Sequence, residues 1–156
     1  MHLAPWEPIR EVQFFSVTHQ AALQERLAGE RAADRHYAFA VGVDDRLAGR
    51  VAISDVVRGA FQSAHLGYVT DASLVGRGIA TAAVRAATRF AFRDLGLHRL
   101  QAAVMPRNDA SIRVVTKCRF ERIGLSRAYL RINGRWEDHV LFALTSEAVS
   151  HAPRPG

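Results

Sequence analysis

The stretch that most constrains this chain is "GYVTDASLVGRGIATAAV", residues 67–84. An extended apolar run ends at Thr70, Gly76 and Gly78 flank Arg77 in a short loop, and an alanine-rich helix follows. That order builds an anion site. The first N–H groups of a helix have no intrahelical partner, and small residues let the backbone approach a phosphate closely. Two familiar glycine loops are excluded. A P-loop needs Gly-Lys-Ser/Thr, and no lysine stands here. A dinucleotide fingerprint needs a third glycine, an opening βαβ unit and an acidic residue after a second parallel strand, and all are missing. A glycine turn that merely starts an ordinary helix stays open on this stretch alone.

Around the loop, hydrophobic periodicity gives an order of elements. "SVTHQAALQERLAGERAADR" from Ser16 has helical spacing at Ala21, Leu23, Leu27 and Ala28. "YAFAVGV" and "LAGRVAISDVV", separated by "DDR", predict a hairpin. The polar turn "RGAFQSA" leads into "HLGYVT", a third antiparallel strand. The helix after Gly78 is predicted to run to about Leu95, with Gly96 as its stop. Its Arg85, Arg89 and Arg93 fall on one face, read as solvated. "HRLQAAVM" is a buried strand ended by Pro106, and "NDASIRVVTKC" is a second helix capped by Asn or Asp. "FERIGLSRAYLRI" and "EDHVLFALT" form strands around "NGR". Hairpins at both ends of a mixed α/β order imply a mixed, mostly antiparallel sheet flanked by helices, of the α/β (α+β) class. Residues 1–147 are expected to form one domain, and 148–156 a disordered tail.

Composition narrows the setting. At 156 residues the chain suits one core. No apolar run approaches the roughly 20 residues needed to span a bilayer. "MHLAPWEP" lacks the basic and apolar regions of a signal peptide, so a cytoplasmic location is expected. The single cysteine, Cys118, offers neither an internal disulfide nor a metal cluster. The formal net charge is +6, and every cation of the 21 Lys and Arg except Lys117 is arginine. Such a balance suits an anionic partner, either a polyphosphate cofactor or RNA, and equally an Arg-rich composition with no functional meaning.

The loop resembles the acetyl-coenzyme A loop of the GNAT acetyltransferases, Gln/Arg-x-x-Gly-x-Gly/Ala, laid on Val75-Gly76-Arg77-Gly78-Ile79-Ala80. Gly78 and Ala80 match, and Val75 stands where Gln or Arg is expected. "LHRL", "PRNDAS", "FERIG" and "YLRINGRWEDHVLFALT" resemble the RimJ/RimL-type branch, which acetylates N-termini of ribosomal proteins. "HLAPWEP" and "VVRGAFQSAHLGY" resemble it too, so the likeness covers nearly the entire chain. Two departures stand out. The first strand and part of the first helix of that fold have no counterpart before "HLAPWEP". Arg119 replaces a glycine that closes the second helix with positive φ.

The resemblance implies an N-acetyltransferase that moves an acetyl group from acetyl-CoA to a primary amine, with no metal. The acceptor is the N-terminal α-amine of a ribosomal or other protein. A small amine (amino acid, polyamine or antibiotic) and a non-catalytic acyl-CoA- or ribosome-binding module are the alternatives, and a homodimer is compatible with each. Tyr68, Val69 and Thr70 are implied to hold pantetheine, with the Val69 N–H facing the thioester oxygen. Val75, Gly76, Arg77, Gly78, Ile79 and Ala80 are implied to hold the pyrophosphate, with Arg77 the side chain nearest a phosphate. Arg113 or Lys117 is implied to reach the 3′-phosphate. Asn108 is implied to contact the cofactor arm, and Ser111 to lie near the sulfur as general acid. The base stays open among His139, Asp138 and His98. His139 and Asp138 are neighbours on a strand, so only one of them can face a given surface.

Overall fold

The computed structural model describes Trp6 and residues 16–150. The N-terminal match to "HLAPWEP" lies outside the described residues except for Trp6. Helix α1 (Val17–Ala32) begins at Ser16, whose side chain accepts from the His19 N–H at 3.2 Å. Strands β1 (Tyr37–Val43), β2 (Arg46–Val57) and β3 (Ser63–Thr70) follow as the antiparallel meander expected from their alternation. Then come α2 (Ile79–Arg93), β4 (Arg99–Val104), α3 (Asp109–Lys117), β5 (Glu121–Ile132), β6 (Arg135–Thr145) and a short α4 (Ser146–Ser150). The tail expected to lack structure from residue 148 is therefore helical through Ser150, and residues 151–156 lie outside the described residues.

The six strands form one sheet in the order β1-β2-β3-β4-β6-β5. The β3–β4 pair is parallel, and α2 supplies the crossover such a pair requires. Strand β3 starts two residues inside the predicted turn, because Ser63 and Ala64 already pair with Arg99 and Leu100. Alternation puts Val51, Ile53, Leu66, Leu100, Ala102, Phe142 and Leu144 on one face, buried beneath Val84, Ala87 and Ala91 of α2 and Val115 of α3.

Two local devices fix how helices leave the sheet. Helix α2 stops where Gly96 turns through positive φ (+64°) and the Leu97 N–H caps the Ala91 carbonyl at 3.0 Å. At one end of the molecule, Arg58 ties three elements together. Its Nε and Nη2 clamp the Asp34 carboxylate at 2.6 and 2.9 Å, and its Nη1 donates to the Leu95 carbonyl at 2.7 Å. The Asp34 carboxyl is held below its ordinary range by Arg58 first and by the Tyr37 hydroxyl second.

Helix α3 ends as the family's glycine would have it end, but with arginine. Arg119 has φ +69°; its N–H reaches the Thr116 carbonyl at 2.9 Å and the Phe120 N–H reaches Val115 at 3.0 Å. These are the two bonds of a Schellman motif, and buried Phe120 and Val115 are the apolar pair that accompanies it. A left-handed L-residue costs on the order of 1 kcal/mol, which the two bonds and the apolar pair offset. Replacing Arg119→Gly removes that strain. Thermal denaturation is expected to show a stabilisation of about 1 kcal/mol, a rise in Tm of about 2–4 °C for a chain of this size.

Candidate active site

The site begins where the sheet comes apart. Strands β3 and β4 are paired only from Ser63–Arg99 to His65–Gln101. Beyond that they diverge, and the gap opens into a cleft of about 530 Å³. Leu66 to Thr70 line one wall and Ala102 to Met105 the other. The loop residues Val75, Gly76, Gly78, Ile79 and Ala80 close its mouth, and Asn108, Ser111, Arg113 and Lys117 approach from α3. Among the described residues the lining carries Arg113, Lys117 and His139 and no carboxylate, which suits an anionic ligand.

Helix α2 presents its N-terminus to this cleft uncapped. Gly78 is its N-cap, with φ +79° and no side chain to fold back over the first turn. By contrast, α1 is capped by Ser16 and α3 by Asn108. The backbone N–H groups at the start of α2 are thus left for a ligand, and the helix dipole adds partial positive charge. Gly76, also at positive φ (+84°), turns the preceding loop toward them. Val75 lines the cleft and stays largely exposed, and its departure from Gln/Arg changes a side chain while leaving the backbone N–H in place. Arg77 is exposed and does not line the cleft, unlike its two glycine neighbours. Arg85 is exposed, in keeping with its solvated reading, and also donates to the Lys117 carbonyl at 3.2 Å, tying α2 to the end of α3.

The peptide direction of β3 can be read from its bonds to β2. The register is unbroken from His65 to Thr70. The Asp71 N–H reaches the Ala48 carbonyl on β2 at 2.8 Å, and a Cβ on Gly49 would collide with the Val69 carbonyl oxygen. Residues 69 and 71 therefore direct their peptide groups at β2, and the residues between and before them point the other way. The cleft-facing N–H groups belong to Tyr68 and Thr70. This corrects the expectation for Val69: the strand was identified, but one residue of parity turns its N–H into the sheet. Gly49 is required there because β2 and β3 approach too closely for a side chain.

Asn108 and Ser111 are brought together at the start of α3. Asn108 Oδ1 caps the helix by accepting the Ser111 N–H at 3.1 Å, which leaves its amide hydrogens as what it can offer a ligand. Ser111 Oγ lies 2.6 Å from the Tyr68 hydroxyl, which also stands 3.2 Å from the Ser111 carbonyl oxygen. Burial pushes the Tyr68 phenol up to about 12, with the Ser111 hydrogen bond acting against it. Tyr68 was expected to act through its backbone; nothing in "GYVT" alone indicates that its side chain reaches Ser111, 43 residues on.

The base candidates separate cleanly. Val104 and Val140 are paired and share the helix-covered face, so His139 lies on the opposite face, where it lines the cleft while nearly buried. Its Nδ1 is 3.0 Å from the Glu137 carbonyl oxygen. A carbonyl can only accept, so Nδ1 carries the hydrogen, and Nε2 of the neutral ring is left as an acceptor. The Tyr129 ring packs beside it, with centroids 5.7 Å apart. Asp138 is spent elsewhere: it accepts the N–H of Ala128, a bulge residue with φ +47°, at 2.8 Å. His98 sits at the far end of β4, 3.2 Å from Glu147, away from the lining. Glu137 clamps Arg107 in two bonds of 2.9 and 3.0 Å, pinning the loop that carries Asn108 to β6. Among the described residues no group of three or more His, Cys, Asp or Glu is placed to hold a metal ion, and no helix is long and apolar enough to cross a membrane.

A splayed parallel pair with an uncapped helix N-terminus at its mouth defines a cleft for an extended, phosphate-bearing acyl carrier, the architecture of an acyl-CoA N-acyltransferase. The chain belongs to the GNAT acetyltransferases: the model of the acetyltransferase (GNAT) domain matches residues 3–121. It is an acetyl-CoA-dependent N-acetyltransferase of the RimJ/RimL type. It is similar to the probable N-acetyltransferase YjcK of Bacillus subtilis, at 41% identity over 87% of this chain and 76% of that protein. It is also similar to the [ribosomal protein uS5]-alanine N-acetyltransferase of Escherichia coli, at 36% identity over 92% of this chain and 75% of that one. Among solved structures, Mycobacterium smegmatis RimJ in complex with CoA-disulfide superposes with a TM-score of 0.91 at 34% identity, covering 97% of this chain and 74% of that chain.

Two outcomes test this geometry. A phenol ionising only near pH 12 in the folded chain, against about 10 unfolded, stabilises the fold fully below pH 10 and loses that contribution as pH rises from about 10 to about 12. Denaturant titrations across that range are expected to show the decline, reduced in Tyr68→Phe. Asp138→Ala is expected to cost about 1 kcal/mol of stability, read by the same titrations, and to leave kcat within about twofold, because the carboxylate holds a bulge.

Proposed function

We propose that the chain moves the acetyl group of acetyl-CoA to the N-terminal α-amine of a ribosomal or other protein in the cytoplasm. The observation that carries this reading is the β3–β4 cleft itself, with hydroxyl groups on the helix side and an imidazole on the other. The likeness to an alanine N-acetyltransferase of a ribosomal protein, over nearly the whole chain, supports the choice of acceptor.

Backbone N–H groups of Gly76 and of residues 78–80, in the loop and at the start of α2, bind the pyrophosphate, and Lys117 or Arg113 meets the 3′-phosphate. The outward Tyr68 carbonyl and Thr70 peptide group face the pantetheine amides as an added strand would, and the Tyr68 N–H is kept for the thioester oxygen. A neutral amine then attacks the thioester carbon from the His139 side. The new C–N bond forms as the carbonyl electrons move onto oxygen, where the Tyr68 N–H stabilises them. The carbonyl re-forms, the C–S bond breaks, and its electron pair leaves on sulfur against the Ser111 hydroxyl. The surplus proton of the new ammonium passes to His139 Nε2, directly or through a water. An α-amine, with pKa about 7.7–8.0, needs little help to be neutral, whereas a lysine near 10.4 needs much more. A histidine is a sufficient base for the first and a poor one for the second.

Calorimetry with acetyl-CoA followed by mass spectrometry of a panel of peptides and small amines tests the proposal. Acetylation of peptide α-amines is expected. Transfer only to a polyamine or an amino acid would move the acceptor to a small molecule, and an absence of acetyl-CoA binding would defeat the enzyme reading. Ser111→Ala is expected to lower kcat by about 100-fold with little change in the acetyl-CoA KM.

A further inference from the structure

The pairing of Tyr68 with Ser111 is not explained by packing alone. A serine hydroxyl in the first turn of a helix is a rotor with three staggered positions, and its hydrogen is readily drawn to a backbone carbonyl of the preceding turn. Pointed there, it is lost to any group in the cleft. In this chain the Tyr68 hydroxyl lies 2.6 Å from Ser111 Oγ and 3.2 Å from the Ser111 carbonyl oxygen. The carbonyl can only accept, so the phenol hydrogen has two acceptors on Ser111 within reach, and the nearer is Oγ. Once Oγ accepts from the phenol, the serine hydrogen is the one left to point elsewhere, and the cleft is lined by both residues.

We propose that Tyr68 is a positioning residue for acetyl transfer: by donating to Ser111 Oγ it holds the serine hydroxyl hydrogen on the sulfur of the departing thiolate. This rests on the acetyltransferase reading and goes a step beyond it. No proton leaves either hydroxyl. The C–S bonding pair goes to sulfur, the Ser111 and Tyr68 O–H bonds stay intact, and the thiolate takes its proton from solvent after release. Donation by the phenol polarises the serine O–H, so the pair stabilises developing negative charge better than serine alone. Burial keeps the phenol protonated, pushed up to about 12, so it remains a donor throughout the range in which an α-amine is reactive.

A double-mutant cycle tests the coupling. The full-length wild type, Tyr68→Phe, Ser111→Ala and the double variant are compared for kcat and for acetyl-CoA KM at a saturating amine acceptor. Tyr68→Phe is expected to lower kcat about tenfold, the scale of one hydrogen bond, while KM stays within about twofold. In the Ser111→Ala background the same substitution is expected to change nothing further. Ser111→Thr, which keeps a hydroxyl, is expected to retain the dependence on Tyr68, and it supplies a second route if one variant fails to fold. Equal losses in both backgrounds, or no loss on Tyr68→Phe, would overturn the inference while leaving the transferase reading in place. A wild type that turns over no acetyl-CoA would overturn both together.

Discussion

The molecule depends on the failure of two strands to stay paired. Strands β3 and β4 hold together for three residue pairs and then part. A gap in the middle of a sheet is costly, since it strands backbone donors and acceptors that neighbours would otherwise satisfy. It persists here because both strands are secured on their far sides, β3 by a register with β2 that is unbroken from His65 to Thr70 and β4 by six pairs with β6. The elements around the gap follow from it. Helix α2 must cross from the end of one strand to the start of the other, which delivers its bare N-terminus to the mouth. Helix α3 leaves at Pro106 and folds back so that Ser111 meets Tyr68. The Arg85 bond to the end of α3 keeps the two helices at a fixed spacing over the opening.

Strand alternation then divides the chemistry between two faces. On the helix-covered side stand hydroxyls, which can stabilise an anion without changing charge. On the other stands one imidazole whose open nitrogen can take a proton. Two nearby carboxylates are held off the lining: Glu137 is bound by Arg107, which keeps its carboxyl below the usual range, and Asp138 is turned to the backbone of β5. Groups suited to an anion and a group suited to accept a proton therefore sit in one cleft without competing for the same partners.

Most of the architecture was legible in the chain because its signals are local. Period-two alternation in "YAFAVGV", the glycines around Arg77 and the cap at Asn108 each act within a few residues. The helix N-terminus that faces the cleft was visible for the same reason. What stayed hidden depends on register or on distance. The identity of the cleft-facing N–H turns on a single step of parity, which only the bonds to Ala48 and Gly49 reveal. The choice between His139 and Asp138 rests on which face β6 buries. The Tyr68–Ser111 and Arg58–Asp34 contacts join residues far apart in sequence. Arg119 was legible in both respects: its position called for positive φ, and the chain adopts it at the expense of strain.

The bulge at Ala128 has a meaning outside catalysis. Among the described residues strand β5 is one margin of the sheet, twelve residues long, with Ile123, Leu125 and Leu130 exposed along it. A flat margin of that length and character invites a strand from another molecule to add on. The register shift between Ser126 and Leu130 interrupts the strand near its middle, and the Asp138 carboxylate on β6 holds the Ala128 N–H there. Asp138 thus bears on the sheet's border as well as on its pairing: a bent edge is a poorer template for strand addition than a straight one.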